Sequence, residues 1–359
     1  MAPTHITQST RAYEKWLRAR LGNEIVKKDL RTKHKKMRRG PFPFLRATYW
    51  RWAEAILDVC PELAGAPSVL AIGDIHLENF GTWRDADGRL IWGVNDFDEA
   101  AEMPYVLDLV RLATSAVLGA QGAGTTASIC AHILAGYTKG LAKPRPIVLD
   151  HDYAWLRRLV VVSDDERDRF WWKMYTLAAA NASPPRRYVK ALAAAMPARN
   201  IEMTILPRTA GAGSLGRPRW VGVGAWRGGP VVREAKAIVP SGWTRAHGRS
   251  SHARPCYWIA TGRHRAPDPW LAVTGSVVTR RLSPNNRKIE AADPAISTNR
   301  KMLQAMGHEL AAIHLGTANR RAAIERDLRD RKRNWLRSAV ERAAAFVLWD
   351  YRAWRKKGW

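Results

Sequence analysis

Two short segments hold the residue types that phosphoryl transfer uses. Residues 73–79 read Gly-Asp-Ile-His-Leu-Glu-Asn and residues 95–98 read Asn-Asp-Phe-Asp. Each follows an apolar run, at 68–72 and 90–94, with the length of a buried strand. A loop after each strand would bring Asp74, Asn79, Asp96 and Asp98 to one edge of a small hairpin. Phosphoryl transfer needs a carboxylate for the attacking hydroxyl. It also needs hard oxygens for a magnesium ion that neutralises the phosphates. An acidic turn stabilised by calcium or water uses the same residue types, so the pattern alone leaves both open.

A phosphate-binding element is legible further on. Residues 209–216 read Thr-Ala-Gly-Ala-Gly-Ser-Leu-Gly between two predicted strands. Glycines let backbone N–H groups approach a phosphate, and Gly211, Gly213, Ser214 and Gly216 are the candidates. A plain hairpin turn is the alternative. Residues 231–236, Val-Val-Arg-Glu-Ala-Lys, form a strand pattern that puts Val232, Glu234 and Lys236 on one face. Lys236 can then meet nucleotide phosphates. Between Ala237 and Ile289 the sole acidic residue is Asp268. Lys236 resembles the strand lysine of kinases, which pairs with a Glu on a following helix, and that resemblance implies a partner at Asp268, Glu290 or Glu234, or none.

Helices and strands must hold these groups in place. Apolar positions at 45, 49, 52, 56 and 59 predict an amphipathic helix over 44–59. Pro104 opens a predicted helix over 105–120. Further helices are predicted over 128–141, 164–181 and 186–196. Near residue 200 the pattern changes to strands punctuated by glycine, over 201–207, 220–226, 231–239, 257–260 and 271–282. That predicts an antiparallel sheet of about five strands, interrupted by an irregular insertion over 242–269. From residue 298 the chain reads as helix again.

These motifs together resemble a known group. Residues 73–79 resemble the catalytic loop of aminoglycoside phosphotransferases and related small-molecule kinases, His-Gly-Asp-x-His-x-x-Asn, with Ile72 in place of the first His. Residues 95–98 resemble their metal-binding segment, and Asp108 resembles the buried Asp that braces the loop. The resemblance implies Asp74 as catalytic base, Asn79 and Asp96 as magnesium ligands, Asp98 as an auxiliary ligand, and ATP as the nucleotide. Residues 307–314, Gly-His-Glu-Leu-Ala-Ala-Ile-His, resemble the helix that precedes the catalytic loop in those kinases, yet they come near the chain's end. The implied fold is α+β and bilobal, protein-kinase-like but circularly permuted, with a small antiparallel β lobe and a larger helical lobe. Segments 36–46, 73–81, 95–99, 213–216, 233–236 and 280–284 further resemble the bacterial domain-of-unknown-function family 2252. The implied division is a basic N-terminal arm at 1–40, a kinase-like C-lobe at 41–198, an N-lobe-like nucleotide-binding region at 199–296, and helices completing the large lobe at 297–359. A pseudokinase or a nucleotidyl-transferring relative is the alternative.

Composition bounds the rest. The chain has 359 residues, with 59 Lys+Arg against 32 Asp+Glu, a formal net charge of +27. Such a surface attracts phosphate in nucleotide, nucleic acid or another polyanion, which keeps a polyanion-binding protein on a degenerate kinase fold as a second hypothesis. No apolar run approaches the roughly 20 residues of a membrane span. Three scattered cysteines form neither a disulfide framework nor a metal cluster, and a cytoplasmic setting is expected. His76 reads as a loop-packing residue or a ligand. Arg46, Arg280 and Arg281 read as phosphate contacts or structural ion pairs. The basic tail from Arg320, with Trp335, Trp349, Trp354 and Trp359, reads as packing on the large lobe.

Overall fold

The computed structural model describes residues 5–120, 122–177, 183–248, 252, 254–288 and 298–356. Glu290, the 296/297 boundary and Trp359 lie outside the described residues.

The chain opens with α1 (Ile6–Leu21) and α2 (Lys27–Met37). α1 buries Ile6, Tyr13, Leu17 and Leu21. α2 buries Leu30, Lys33 and Met37 at helical spacing, while Lys27, Lys28, Arg31 and Lys35 stay outside. The basic N-terminal segment is thus packed helix with a solvated face. α3 (Pro41–Ala47) and α4 (Tyr49–Val59) replace the single helix expected over 44–59. Thr48 separates them with φ −126° and ψ 37°, and its hydroxyl donates to the Phe44 carbonyl at 2.8 Å. Such local side-chain bonding competes with helix propagation.

Next come β1 (Ser68–Ala71), β2 (Phe80–Arg84), β3 (Leu90–Val94) and β4 (Ala101–Pro104). β1 pairs with β4, Ser68 opposite Pro104 and Ala71 opposite Ala101. β2 and β3 form an antiparallel hairpin, Phe80 opposite Val94, which β5 (Ile147–Val148) extends. Residues 72–79 and 95–100 are therefore adjacent loops closed at their base by the β1–β4 pair. The Asn95 amide donates to the Asn79 carbonyl at 3.0 Å.

α5 (Val106–Gly119) and α6 (Thr126–Ala142) follow, then α7 (Ala154–Leu159), α8 (Asp164–Tyr175) and α9 (Arg186–Ala194). The five-stranded antiparallel sheet has the order β6-β7-β8-β10-β9. Its strands are β6 (Met203–Pro207), β7 (Arg219–Trp226), β8 (Gly229–Ala237), β9 (Ala272–Thr274) and β10 (Val277–Leu282). The single strand expected over 271–282 is a hairpin, because Gly275 turns the chain at φ +56°. Residues 257–260 are not a strand: they end α11 (Pro255–Ala260), which follows the short α10 (Gly242–His247). Pro255 starts that helix, and Cys256, Ile259 and Ala260 are buried at spacings of three and four.

The C-terminal helices are α12 (Arg300–His314), α13 (Arg321–Asp330) and α14 (Trp335–Lys356). One large core joins α3, α4, α5, α6, α12 and α14. A buried Arg51–Asp350 pair at 2.8 Å ties α4 to α14. A second core lies under the sheet, where Trp220, Ala235, Ala237 and Val277 meet Tyr13, Leu17, Leu30, Trp50, Tyr188 and Leu192. The opposite face of the sheet carries Glu234 and Lys236. No helix among the described residues is long and apolar enough to cross a membrane. Cys60, Cys130 and Cys256 are buried free thiols.

Candidate active site

The loop after β1 is held from beneath by α5. Asp108, fully buried, accepts hydrogen bonds from the backbone N–H of Ile72 at 2.8 Å and of Gly73 at 2.9 Å. His314 of α12 lies 3.1 Å from the same carboxylate and is bonded in turn to the Tyr137 hydroxyl at 2.9 Å. One turn along α5, Arg111 pairs with the Asp74 carboxylate and donates to the Leu45 carbonyl at 3.0 Å. Gly73 has φ +79°, and a Cβ there would strike the Glu99 carbonyl and the Tyr49 ring. Only glycine fits that turn. Asn79 donates its side-chain amide to the Asp74 carbonyl at 2.7 Å, so its side-chain oxygen is the atom left for another partner. Burial raises the Asp74 carboxyl to about 7, against the pull of Arg111 and with a further push from Glu99.

The loop after β3 meets the sheet. Lys236 pairs with Asp98 and lies 3.3 Å from Asp96. This replaces the expected partners. Glu234 is instead surrounded by Arg208, Arg219 at 2.6 Å and Arg280 at 2.7 Å, while Asp268 takes Arg281 at 3.1 Å. The reason is register: Arg219 and Val278 stand opposite Lys236, and Val221 and Arg280 stand opposite Glu234, so both arginines flank the one glutamate. Burial is overridden at Asp96 by Lys236, Arg280 and Lys288, which hold its carboxyl well below the usual carboxylate range. Asp98 moves the other way, raised by burial and by the Asp96 charge. Glu99 pairs with Arg217 and accepts the Gly242 N–H at 2.6 Å.

The glycine-rich segment joins β6 to β7 and folds over Asp74. A Cβ on Gly213 would stand 2.9 Å from the outer Asp74 oxygen and 3.2 Å from the Arg46 carbonyl. Two lysines of α2 hold this loop: Lys33 donates to the Gly213 carbonyl and Lys36 to the Gly211 carbonyl, each at 2.8 Å. Ser214 accepts from Arg219 at 2.9 Å. Asp74, Asn79, Asp96, Asp98, Gly211, Gly213 and Ser214 line one small cavity of about 50 Å³. It adjoins a cleft of about 620 Å³ whose walls include Asp96, Asp98, Lys236, Phe97, Val278 and Leu271. Gly216 reaches neither cavity; with φ +98° it packs on Leu30 and Leu17.

Among the described residues no group of three or more His, Cys, Asp or Glu side chains is arranged to hold a metal. Asp96, Asp98 and Asn79 all line the small cavity and offer hard oxygens of the kind magnesium takes. His76 is buried, caps the turn at 77–79 by accepting the Glu78 N–H at 3.2 Å, and is held neutral by burial and by Arg46. Arg46 pairs with Glu78 at the rim of both cavities.

Several site residues were not singled out from sequence. Arg111 carried a signal, an arginine three residues after Asp108 within an apolar helix. Lys33 and Lys36 were hidden in a charge run, where only the fold separates an inward lysine from its solvated neighbours. Arg219 needed the strand register.

The model of DUF2252, a family described as uncharacterised proteins conserved in bacteria, matches residues 25–144, about one third of the chain. That span includes both acidic loops, Asp108 and Arg111, and excludes the glycine loop and Lys236. No curated protein and no solved structure matches the chain.

Proposed function

We propose that the protein is a nucleotide-dependent phosphotransferase on a circularly permuted, bilobal kinase-like fold, with ATP as donor and a hydroxyl compound as acceptor. One observation carries this reading: Asp74, Asn79, Asp96 and Asp98 converge with the glycine loop on a cavity that opens to a nucleotide-sized cleft. The brace beneath supports it, because Asp108 fixes the loop by its backbone and leaves the Asp74 side chain for chemistry. Lys236 and the N–H groups of 211–214 would hold phosphates. The apolar wall of Phe97, Val278 and Leu271 would take the base. Asp96, Asp98 and Asn79 would hold Mg²⁺, which when bound neutralises the phosphate charge. Asp74 would orient the acceptor hydroxyl. The hydroxyl oxygen forms a bond to the terminal phosphorus as the bridging P–O bond to the departing diphosphate breaks, and the hydroxyl proton passes to Asp74.

A second reading is nucleotide binding without transfer. The grip of Arg111 on Asp74, and the close approach of Gly213 to its other oxygen, favour it. It expects Asp74→Asn to leave function intact.

The test is thermal unfolding with ATP, with and without Mg²⁺, on wild type and Asp96→Ala. Saturation at about 100 times Kd stabilises by about 2.7 kcal/mol, a rise of roughly 2–4 °C for a chain this long. A magnesium-dependent rise in wild type that Asp96→Ala abolishes is the expected result. No rise in wild type would sink the proposal.

A further inference from the structure

A second cavity adjoins the cleft, with a volume of about 580 Å³. One wall is the α7–α8 segment. The other is the chain after β10, through Pro284, Asn286, Arg287 and Lys288. The walls are tied together: Arg287 donates to the Val161 carbonyl at 2.7 Å and pairs with Glu166 at 2.9 Å, and Arg167 donates to Asn285 at 3.0 Å.

The chemistry of this cavity is divided. Leu159, Val160, Val162, Phe170, Met174 and Met302 give it an apolar lining. Its rim carries Arg169 and Lys173, neither of which has an ion-pair partner among the described residues, and Lys288, whose charge acts on Asp96; its acid, Glu166, is already matched by Arg287. An apolar lining with unpaired cations at its edge suits a molecule with an apolar body and an anionic head. The position ties the cavity to the reaction. Phe170, Arg208, Asn286, Arg287 and Lys288 line both this cavity and the nucleotide cleft. Lys288 also lines the small cavity that holds Asp74.

We infer that this cavity is the acceptor site and that the acceptor is a hydroxyl-bearing amphipathic anion, a phosphate or carboxylate on an apolar body, with Lys288 at its junction with the transfer site. The inference rests on the phosphotransferase reading for the word acceptor; the binding site stands on the cavity alone. Mg²⁺-ATP meets Asp96 and Lys236, and the second ligand meets Arg169 and Lys173, so separate residues control the two.

Isothermal titration of the full chain with octyl phosphate, octanoate, octanol and inorganic phosphate tests this. The proteins are wild type, Arg169→Glu/Lys173→Glu and Val162→Trp, each also titrated with Mg²⁺-ATP. Wild type should bind octyl phosphate or octanoate, and the stronger of the two identifies the head group. Octanol and inorganic phosphate should bind at least about tenfold more weakly. Both variants should weaken the anion about tenfold or more while keeping wild-type affinity for Mg²⁺-ATP, which also shows that they fold. Wild type that binds Mg²⁺-ATP but neither anion would overturn the inference alone. So would binding unchanged in both variants, or full displacement by ATP, which would place the anion in the nucleotide cleft. Anion binding that the variants abolish, without any ATP binding, would uphold the cavity and overturn the phosphotransferase reading. Binding of neither would overturn both.

Discussion

Asp74 is held by a buried arginine. Arg111 has no solvent exposure, is packed against the rings of Tyr49 at 4.9 Å and Trp52 at 5.1 Å, and has two guanidinium nitrogens without a hydrogen-bond partner. Among the described residues the carboxylate paired with it is Asp74. Taking away one member of a buried pair strands the other, which destabilises by about 3 kcal/mol or more. Arg111→Met should therefore lower stability by about that amount, although Met fills most of the space. Asp74→Asn in the same chain should recover a good part of the loss, since no charge is then stranded. Urea midpoints of the two single variants and the double variant measure the coupling. A double variant as unstable as the two single losses added together would show that the pair is not the source of the effect.

At the scale of elements, the brace depends on how closely two helices approach. α6 and α12 cross where Gly136, Gly140 and Gly307 lie, and a Cβ on Gly307 would collide with the Ile133 carbonyl and come within 2.8 Å of the Tyr137 amide. Neither backbone atom can turn aside as a side chain would. This contact sets the depth of α12, which delivers His314 to Asp108 and Glu309 to the Val94 N–H at 3.2 Å. Gly307→Ala should cost about 1–3 kcal/mol through overpacking, and should also weaken Mg²⁺-ATP binding, because the shifted helix moves the floor under both loops. Calorimetric unfolding with and without nucleotide checks both. If stability falls but affinity does not, α12 is a packing element with no hold on the site. Equal stability of the variant and wild type would refute the close approach itself.

For the whole molecule, Lys33 marks where three parts meet. Its ammonium lies over the rings of Trp50 at 4.4 Å and Tyr13 at 5.2 Å and bonds the glycine loop, so it joins the N-terminal helices, the helical body and the sheet. Burial, then the like charge of Arg217, brings it down from the ordinary 10.5 to about 7, against the opposing pull of Glu99, Asp74 and Glu14. The unfolded chain keeps this proton up to about 10.5 and the folded chain releases it near 7. Between those values the unfolded state binds more protons, so this group makes stability rise with pH across that window and adds nothing to it below. Lys33→Met should flatten the rise. Urea midpoints at pH 7 and pH 9 decide it: a wild-type midpoint that climbs no more than the variant's would exclude Lys33 as the source.

The sequence determined which residues stand in the two acidic loops, and most of the elements. The spacing of Asp74, Asn79, Asp96 and Asp98, and the strand-then-loop pattern around them, was legible because it depends on neighbours a few residues apart. So was the five-strand pattern near the middle of the chain, with two errors where local residues favoured β structure. At 257–260 the packing of Cys256, Ile259 and Ala260 made a helix, and at 275 a glycine made a turn. What only the tertiary structure decided was pairing. Lys236 could be expected to seek an acid nearby in the chain, yet it takes Asp96 and Asp98, about 140 residues upstream. Glu234 takes three arginines because the register of β7, β8 and β10 gathers them. Lys33 is buried and Lys35 exposed in one basic segment, and the segment itself does not distinguish them. A charge in water is indifferent to its partner at this range; once the fold excludes water, a buried charge needs an opposite charge or a hydrogen-bonding group close by, and which group is close is a property of the packed chain alone.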